Sequence, residues 1–205
     1  MKYGILLSLT LLIFSCFLAR AQENITEPNR GFYVKLLYKG NHETKLFALA
    51  KIAESGSKDD EVIDALISCL QEGTSFIERK AGKIVNDFWD VRAKSAEILG
   101  EIGDPRALDY LHTALLHDKD PMVRSCVAIA LGKIRLPESI FFLAQAIKTS
   151  EVCGSDEIVI KSCVEAIGEI GHEDGILPLF EVIHGGYRRN IKLAAMDALK
   201  KLNWK

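Results

Sequence analysis

The chain has 205 residues, of which 48% are hydrophobic and 26% are charged, and its formal net charge is −2. This length suits one domain with a continuous hydrophobic core. A nucleic-acid partner calls for a basic surface, so the acidic balance argues against one.

Residues 1–21 have the features of a secretory signal peptide. Lys2 supplies a positive start, residues 4–19 carry no charge, and residues 19–21 match a small-x-small cleavage site. The uncharged run is shorter than the roughly 20 residues that span a membrane comfortably. We therefore expect export to a bacterial periplasm or secretion, with no integral membrane segment in the mature chain.

Cleavage is expected to leave Gln22 as the first residue of the mature protein. The loss of Lys2 and Arg20 then lowers the formal net charge from −2 to −4. A lipid anchor on Cys16 is the alternative, because residues 13–16, Ile-Phe-Ser-Cys, can be interpreted as a lipid-attachment sequence that ends in cysteine. In either case the folded part of the protein follows residue 21.

Residues 22–40 are expected to form a lead-in and a capping helix, because the ends of repeat stacks are atypical units. The lead-in covers residues 24–28, and the helix covers Gly31 to Lys39. The residues that we expect to face the core are Phe32, Val34, Leu36 and Leu37.

Residues 43–53 and 59–72 are predicted to form the first pair of helices. The second of them carries apolar residues at helical spacing, which indicates one buried face. These residues are Val62, Ile63, Leu66 and Leu70.

Residues 73–87, GTSFIERKAGKIVND, do not fit the spacing of the units around them. We expect a short extra helix there, covering a seam between units with Phe76, Ile77, Ile84 and Val85 packed inward. The alternative is a functional loop, since insertions in repeat proteins often lie on the functional face. Its basic cluster would be Arg79, Lys80 and Lys83. Phe88 and Trp89 are expected to pack against the neighbouring unit.

An internal repeat runs through the rest of the chain. Val91-Arg92 reaches Gly100 nine residues later, and Val123-Arg124 reaches Gly132 in the same way after an offset of 32 residues. Further copies begin at Val159 and at Ile191. Small or apolar residues recur at three- and four-residue steps within each copy, which predicts a helix with one buried stripe.

Three glycines occupy one fixed position in these helices: Gly100, Gly132 and Gly168. Glycine inside a helix costs roughly 1 kcal/mol relative to alanine. Its recurrence in register therefore predicts that another helix crosses there too closely for a Cβ atom.

Turn residues divide each unit into two helices. Gly103 suits the residue after a helix end, Asp104 an N-cap, and Pro105 a first helical position. Asp120-Pro121 repeats the start signal. The second helix has its own apolar face from Leu108, Leu111 and Leu115, so each unit is predicted to be two antiparallel helices.

The segment VRAKSAEILGEIGDPRALDYL, residues 91–111, resembles the short HEAT-type repeats, in particular those called phycobilisome-lyase-like. The resemblance covers residues 88–202. It implies an all-α fold, a right-handed α-solenoid of four to five antiparallel helix pairs, with the second helices on the concave side. The repeat domain would then span residues 41–205.

The same resemblance implies that Arg92 and Arg124 bond acidic or carbonyl groups near a neighbouring turn. Ile160 stands at the matching position of the next copy, so the series is expected to be interrupted there.

Signals for catalysis or metal binding are weak. Cys69, Cys126 and Cys163 occupy helical positions and are expected to be buried thiols, whereas Cys153 lies in a loop and is the candidate for reactivity. No zinc-type spacing of Cys and His occurs. The pairs at residues 42–43 and 172–173 invite comparison with HEAT-like di-iron hydroxylases, but they lack paired ligands from facing helices. We therefore expect no metal, no cofactor and no enzymatic activity.

A candidate binding surface emerges when the second helices are aligned on Leu111, Leu143 and Leu179. Bulky residues fall in the columns beside these leucines, and a contiguous exposed apolar patch marks an interaction site. The expected groove residues are Tyr110, Phe141, Phe142 and Phe180, with Arg106 and His112 at its rim.

The sequence thus favours a non-catalytic scaffold of the cell envelope that binds a protein or peptide. Two alternatives remain open. One is a self-assembling structural element, joined through the final helix, whose apolar face needs either Trp204 or a second molecule as cover. The other is an accessory subunit, or an enzyme whose site is not recognised.

Overall fold

A computed structural model of the chain describes residues 27–152 and 154–203, with side chains from residue 30 onward. The predicted leader, Cys153 and Trp204 lie outside the described residues. Of the described residues, those from 33 onward belong to one compact unit, which contains every repeat.

The described residues contain ten α-helices and one β-hairpin. The helices are α1 Glu27–Lys39, α2 His42–Ser55, α3 Asp60–Gln71, α4 Trp89–Ile102, α5 Leu108–His117, α6 Pro121–Ile134, α7 Ser139–Thr149, α8 Glu157–Ile170, α9 Ile176–His184 and α10 Arg189–Lys201. The hairpin strands are β1 Arg79–Lys80 and β2 Lys83–Ile84. No described helix is both long enough and apolar enough to cross a membrane.

The helices from α2 onward form four pairs, followed by α10. In each pair a first helix (α2, α4, α6, α8) precedes a second helix (α3, α5, α7, α9). Each first helix from α4 on packs against the next first helix, and α5 packs against both α3 and α7. This side-by-side stacking confirms the predicted α-solenoid.

The turn between α4 and α5 shows why the chain breaks where the sequence indicates. Gly103 has φ of 73°, a left-handed conformation that costs glycine little. The carboxylate of Asp104 accepts a hydrogen bond of 2.9 Å from the amide of Arg106. Asp120 caps α6 in the same way through the amide of Met122, at 2.8 Å. These capped turns set the antiparallel arrangement of α4, α5 and α6.

Close crossings of first helices explain the repeated glycines. A Cβ atom on Gly100 would lie 2.6 Å from the Cα of Ala130, and one on Gly132 would lie 2.9 Å from the Cα of Ala166. Gly168 faces Ala198 at 2.8 Å in the same manner. The prediction of a crossing too tight for a side chain is confirmed.

A basic side chain that is buried or half-buried ties each of three repeats together. The Arg92 guanidinium is fully buried and donates to both carboxylate oxygens of Asp118, at 2.7 and 3.2 Å. It also donates to Asp87 at 2.9 Å and to the carbonyl of Glu72 at 3.2 Å. A buried charge is tolerated because its donors are paired in this way.

The basic residues of this series are each the fourth residue of a first helix. Arg124 pairs with Asp156 at 2.6 Å, and Ile160, fully buried, interrupts the series. The structure adds a member that the sequence comparison missed, because Lys45 in α2 forms a buried ion pair with Glu72.

The insertion differs from its prediction. Residues 73–87 form a β-hairpin and its flanking turns, not a helix. Phe76, Ile77 and Ile84 are exposed instead of packed inward, and Val85 is half-buried. Alternation along a strand turns neighbouring residues to opposite faces, so one seam cannot bury all four side chains.

The N-terminal helix α1 and the start of α4 also differ from their predictions. Helix α1 begins at Glu27, so the lead-in is shorter than predicted, and Phe32 is exposed, whereas Leu37 is buried. Trp89 is about half-exposed at the start of α4, while Phe88 packs as expected by stacking on His42 at 4.6 Å.

Candidate functional site

Four large apolar side chains are exposed on the second helices α5, α7 and α9. Their exposed fractions are 40% for Tyr110, 69% for Phe141, 69% for Leu177 and 40% for Phe180. We call these four residues the second-helix surface. Three of them are predicted groove residues, and Leu177 is an addition that stands in the same alignment column as Phe141.

A cavity of about 410 Å³ lies between α7 and α9 on this surface. Its apolar walls come from Ile140, Phe141, Ala144, Leu177 and Pro178. Two acidic residues, Glu138 and Asp174, complete the lining together with Pro137. The cavity therefore combines an apolar interior with a negatively charged edge.

Phe142 supports the surface from below. Its ring stacks on the imidazole of His112 at a centroid distance of 3.9 Å and meets the ring of Phe141 edge-on at 5.4 Å. Aromatic pairs in such geometries stabilise one another beyond the area they bury. Phe142 is partly buried and packs against the core, so it orients Phe141 and is not itself a free contact residue.

His112 does not lie at the rim of a groove. Its side chain is only 6% exposed, and its Nε2 atom is 3.0 Å from the hydroxyl of Ser139. Burial lowers the pKa of His112, which favours the neutral imidazole. The stack against Phe142 requires the ring to lie between α5 and α7, and this position removes it from solvent.

Arg106 is exposed, as predicted, but it is engaged in the repeat itself. Its guanidinium pairs with Asp60 at 2.7 Å and with Asp104 at 3.0 Å. It therefore links the turn before α5 to the start of α3. We assign Arg106 a structural contact between adjacent units.

A second cavity, of about 550 Å³, adjoins Tyr110 where the end of α3 meets α5. Its lining is about equally polar and apolar, and its polar residues include Asp109, Thr113, His117 and Lys119. One wall is formed by residues 73–75 at the start of the insertion. Sequence alignment of the second helices could not reveal this cavity, because the insertion has no counterpart in the other repeats.

Comparison with known proteins agrees with this architecture. Residues 81–153 match the family model for HEAT repeats. Residues 81–153 therefore carry HEAT repeats. No curated protein sequence matches the chain.

Among solved structures, the chain is similar to the complex of CpcE and CpcF of phycocyanin lyase from Nostoc sp. PCC7120. The TM-score is 0.67 and the sequence identity 20%, and the match covers 88% of this chain and 67% of the other. Identity at this level supports a shared fold.

The first helices of the HEAT repeats present a face of a different kind. A cavity of about 710 Å³ crosses α6, α8 and α10. Its acidic and basic side chains are paired, because Glu169 contacts Lys201 at 2.6 Å and Arg135 at 3.3 Å. The hydrogen bond from Lys201 lowers the pKa of Glu169. Paired exposed charges of this kind keep a helix face soluble and add little stability.

The cysteines of the helices differ in burial. Burial raises the pKa of the Cys69 and Cys163 thiols to about 12, so neither forms a reactive thiolate near neutral pH. Both are buried as predicted, whereas Cys126 is only half-buried. Within residues 27–152 and 154–203 no three His, Cys, Asp or Glu side chains form a metal-binding group.

Proposed function

We propose that this HEAT-repeat protein is a non-catalytic scaffold of the cell envelope, and that it holds a protein or peptide segment on the second-helix surface. The observation that carries the proposal is the pair Phe141 and Leu177. Both side chains are 69% exposed and both line the same cavity between α7 and α9. Contiguous exposed apolar groups of this kind mark interaction sites.

The chemistry of the cavity indicates the kind of segment that fits. Burial of one exposed Phe or Leu side chain stabilises a complex by about 1.5–3 kcal/mol. Phe141 is held in place by the ring of Phe142, which limits the side-chain entropy lost on binding. The carboxylates of Glu138 and Asp174 lie at the edge of the cavity. A segment with an apolar anchor beside a basic residue would complement both features.

The envelope location rests on residues 1–21 alone. The test is fractionation of cells that produce the whole chain, followed by N-terminal sequencing of the recovered protein. We expect a mature chain that begins at Gln22 in the periplasmic or secreted fraction. Recovery of the uncleaved chain from the cytoplasm would remove this part of the proposal.

Site-specific photo-crosslinking tests the binding surface. A benzoylphenylalanine placed at Phe141 in the producing cells should yield a discrete adduct with a partner protein. The double variant Phe141→Ser, Leu177→Ser should fold normally by circular dichroism, because both side chains are exposed. A crosslinker at Tyr110 should lose its adduct in that double variant.

The matched control uses an exposed apolar residue outside the second-helix surface. Met196 on α10 is 42% exposed, so a crosslinker there samples a comparable environment. The proposal fails if positions 141 and 196 give the same adducts, or if the double variant keeps the adduct formed from position 110.

A further inference from the structure

The hairpin at residues 79–84 is a fixed element rather than a loose loop. Strands β1 and β2 pair in antiparallel register, with Arg79 opposite Ile84 and Lys80 opposite Lys83. Ala81 and Gly82 both have positive φ, 50° and 81°, as a tight two-residue hairpin turn requires.

Asn86 anchors the base of the hairpin. Its buried side chain donates to the carbonyl of Phe76 and accepts from the amide of Glu78, both at 2.9 Å. The amide of Val85 also donates to the carbonyl of Glu78 at 3.0 Å. These bonds close the base of the hairpin.

The hairpin segment exposes several large apolar side chains to solvent. Every residue from 75 to 84 is exposed. The exposed fractions are 52% for Phe76, 45% for Ile77 and 37% for Ile84. These three large apolar side chains, which we call the apolar cluster, lie within nine residues of the chain.

Three cations accompany this apolar cluster. Arg79, Lys80 and Lys83 make no ion pair with any acid in the part of the chain that the structure describes, and Arg79 donates only to the carbonyl of Gly82, at 3.2 Å. Lys80 faces Lys83 across the hairpin, and like charges directly opposite destabilise a strand pair. With Glu78 as the one acid, residues 76–84 carry a net charge of +2, whereas the whole chain carries −2.

We propose that the hairpin docks on an anionic phospholipid surface. Residues paired directly across a hairpin share one face, so Arg79 and Ile84 offer a cation beside an apolar group, with Phe76 and Ile77 exposed before the first strand. Interfacial binding combines these two contributions, with apolar insertion at the headgroup boundary and attraction of cations to anionic lipids. An exposed element without a groove of its own can meet a fluid bilayer, whereas a peptide partner would need a groove.

This inference is independent of the second-helix surface. The net negative charge of the remaining chain would be repelled by an anionic bilayer, so contact would be confined to the hairpin. Each basic residue near an anionic surface strengthens binding by about fivefold. We therefore expect reversible association that depends on salt and on anionic lipid.

Vesicle co-sedimentation tests the inference with the chain from residue 22, which contains every described element and lacks the apolar leader. The protein should sediment with phosphatidylcholine vesicles that contain phosphatidylglycerol, but not with phosphatidylcholine alone. The variant Arg79→Glu, Lys80→Glu, Lys83→Glu should lose at least about a hundredfold in partition. Phe76→Ser with Ile77→Ser should weaken binding while leaving its salt dependence unchanged.

A charge-matched control separates the hairpin from net charge. Arg189→Glu, Lys192→Glu and Lys200→Glu make the same charge change on α10 and should reduce partition much less than the hairpin variant. The inference is overturned if the two triple variants bind equally, or if the wild type does not prefer anionic vesicles. Binding to polyglutamate without binding to vesicles would also overturn it, and would indicate an acidic protein segment.

Discussion

The imidazole of His112 is held inside the second-helix layer by two contacts that position Phe141 indirectly. Ser139 lies 3.0 Å from its Nε2 atom, and Phe142 stacks on its face. Phe142 in turn meets the exposed ring of Phe141 edge-on. Only Phe142 thus lies between this buried titratable group and the second-helix surface. The stability of this region should therefore depend on pH.

The pKa of His112 predicts the direction of that dependence. Burial lowers its pKa below the ordinary value of 6.5, so the unfolded chain binds the proton more tightly than the folded chain. The free energy of unfolding should therefore fall as the pH decreases below 6.5, by at most about 1.4 kcal/mol per pH unit, and the fall should stop below the folded pKa.

Urea denaturation at pH 7.5 and pH 5.5 measures this effect. His112→Gln keeps a hydrogen-bonding group but cannot titrate, so the variant should lose less stability between the two pH values than the wild type. Equal losses in both proteins would show that another group causes the pH dependence.

At the scale of elements, the glycine crossings decide how closely the first helices pack. Gly132 lies against Ala166, where an added Cβ would be 2.9 Å from a backbone atom and 3.0 Å from the Ala166 Cβ. A backbone atom cannot move as a flexible side chain does, so α6 and α8 would have to separate. The recurrence of the contact in three crossings makes it a property of the stack.

The variant Gly132→Ala should therefore destabilise the protein, by about 1–3 kcal/mol through overpacking. Alanine is the better helix former by about 1 kcal/mol, so helix propensity alone predicts the opposite sign. Gly31→Ala is the matched control, because Gly31 lies within α1 and an added Cβ there meets no atom within 4 Å. Denaturant unfolding that ranks Gly132→Ala at or above the wild type would contradict the close-crossing account.

The same elements show which parts of the fold the sequence could predict. The helix pairs follow from periodic residues such as Val91, Arg92 and Gly100, whose contacts recur in each repeat and so appear as a pattern. The hairpin did not follow, because Phe76 and Ile84 are eight residues apart, a spacing that also suits one helix face. The decisive contact, from Asn86 to the backbone of Phe76, leaves no periodic signal.

The candidate site was predictable to a similar extent. Column alignment identified Tyr110, Phe141 and Phe180, all of which are exposed. It could not distinguish them from His112 and Phe142, because the stacking of those two rings depends on the offset between α5 and α7. That offset is set by packing between neighbouring units and is not encoded within either helix.

At the scale of the whole molecule, α10 determines whether copies can join end to end. Its outward face exposes Leu193 and Met196, at 49% and 42%, and Met196 stands where Val164 is fully buried one repeat earlier. These apolar groups favour the alternative of self-assembly through the final helix. The residue at the crossing position argues against self-assembly. Lys200 stands in α10 where Gly168 stands in α8.

Lys200 is exposed and pairs with Asp197 at 2.7 Å. Since a Cβ atom alone is too large at the earlier crossings, a lysine there prevents another helix from crossing α10 at the same distance. If a second copy continued the stack, the side chain of Lys200 would hold the two copies apart. The apolar contacts around Met196 could then not form. The mature protein should therefore be monomeric.

Sedimentation equilibrium of the chain from residue 22 over a wide concentration range tests this prediction. The wild type should give one mass, that of a single chain, at every concentration. Lys200→Gly should increase weak association, because it restores the residue found at the earlier crossings and removes the side chain that separates Leu193 and Met196 from a second molecule. A wild-type dimer that Met196→Ser abolishes would reverse the argument, because it would show that the final helix accepts a partner despite Lys200.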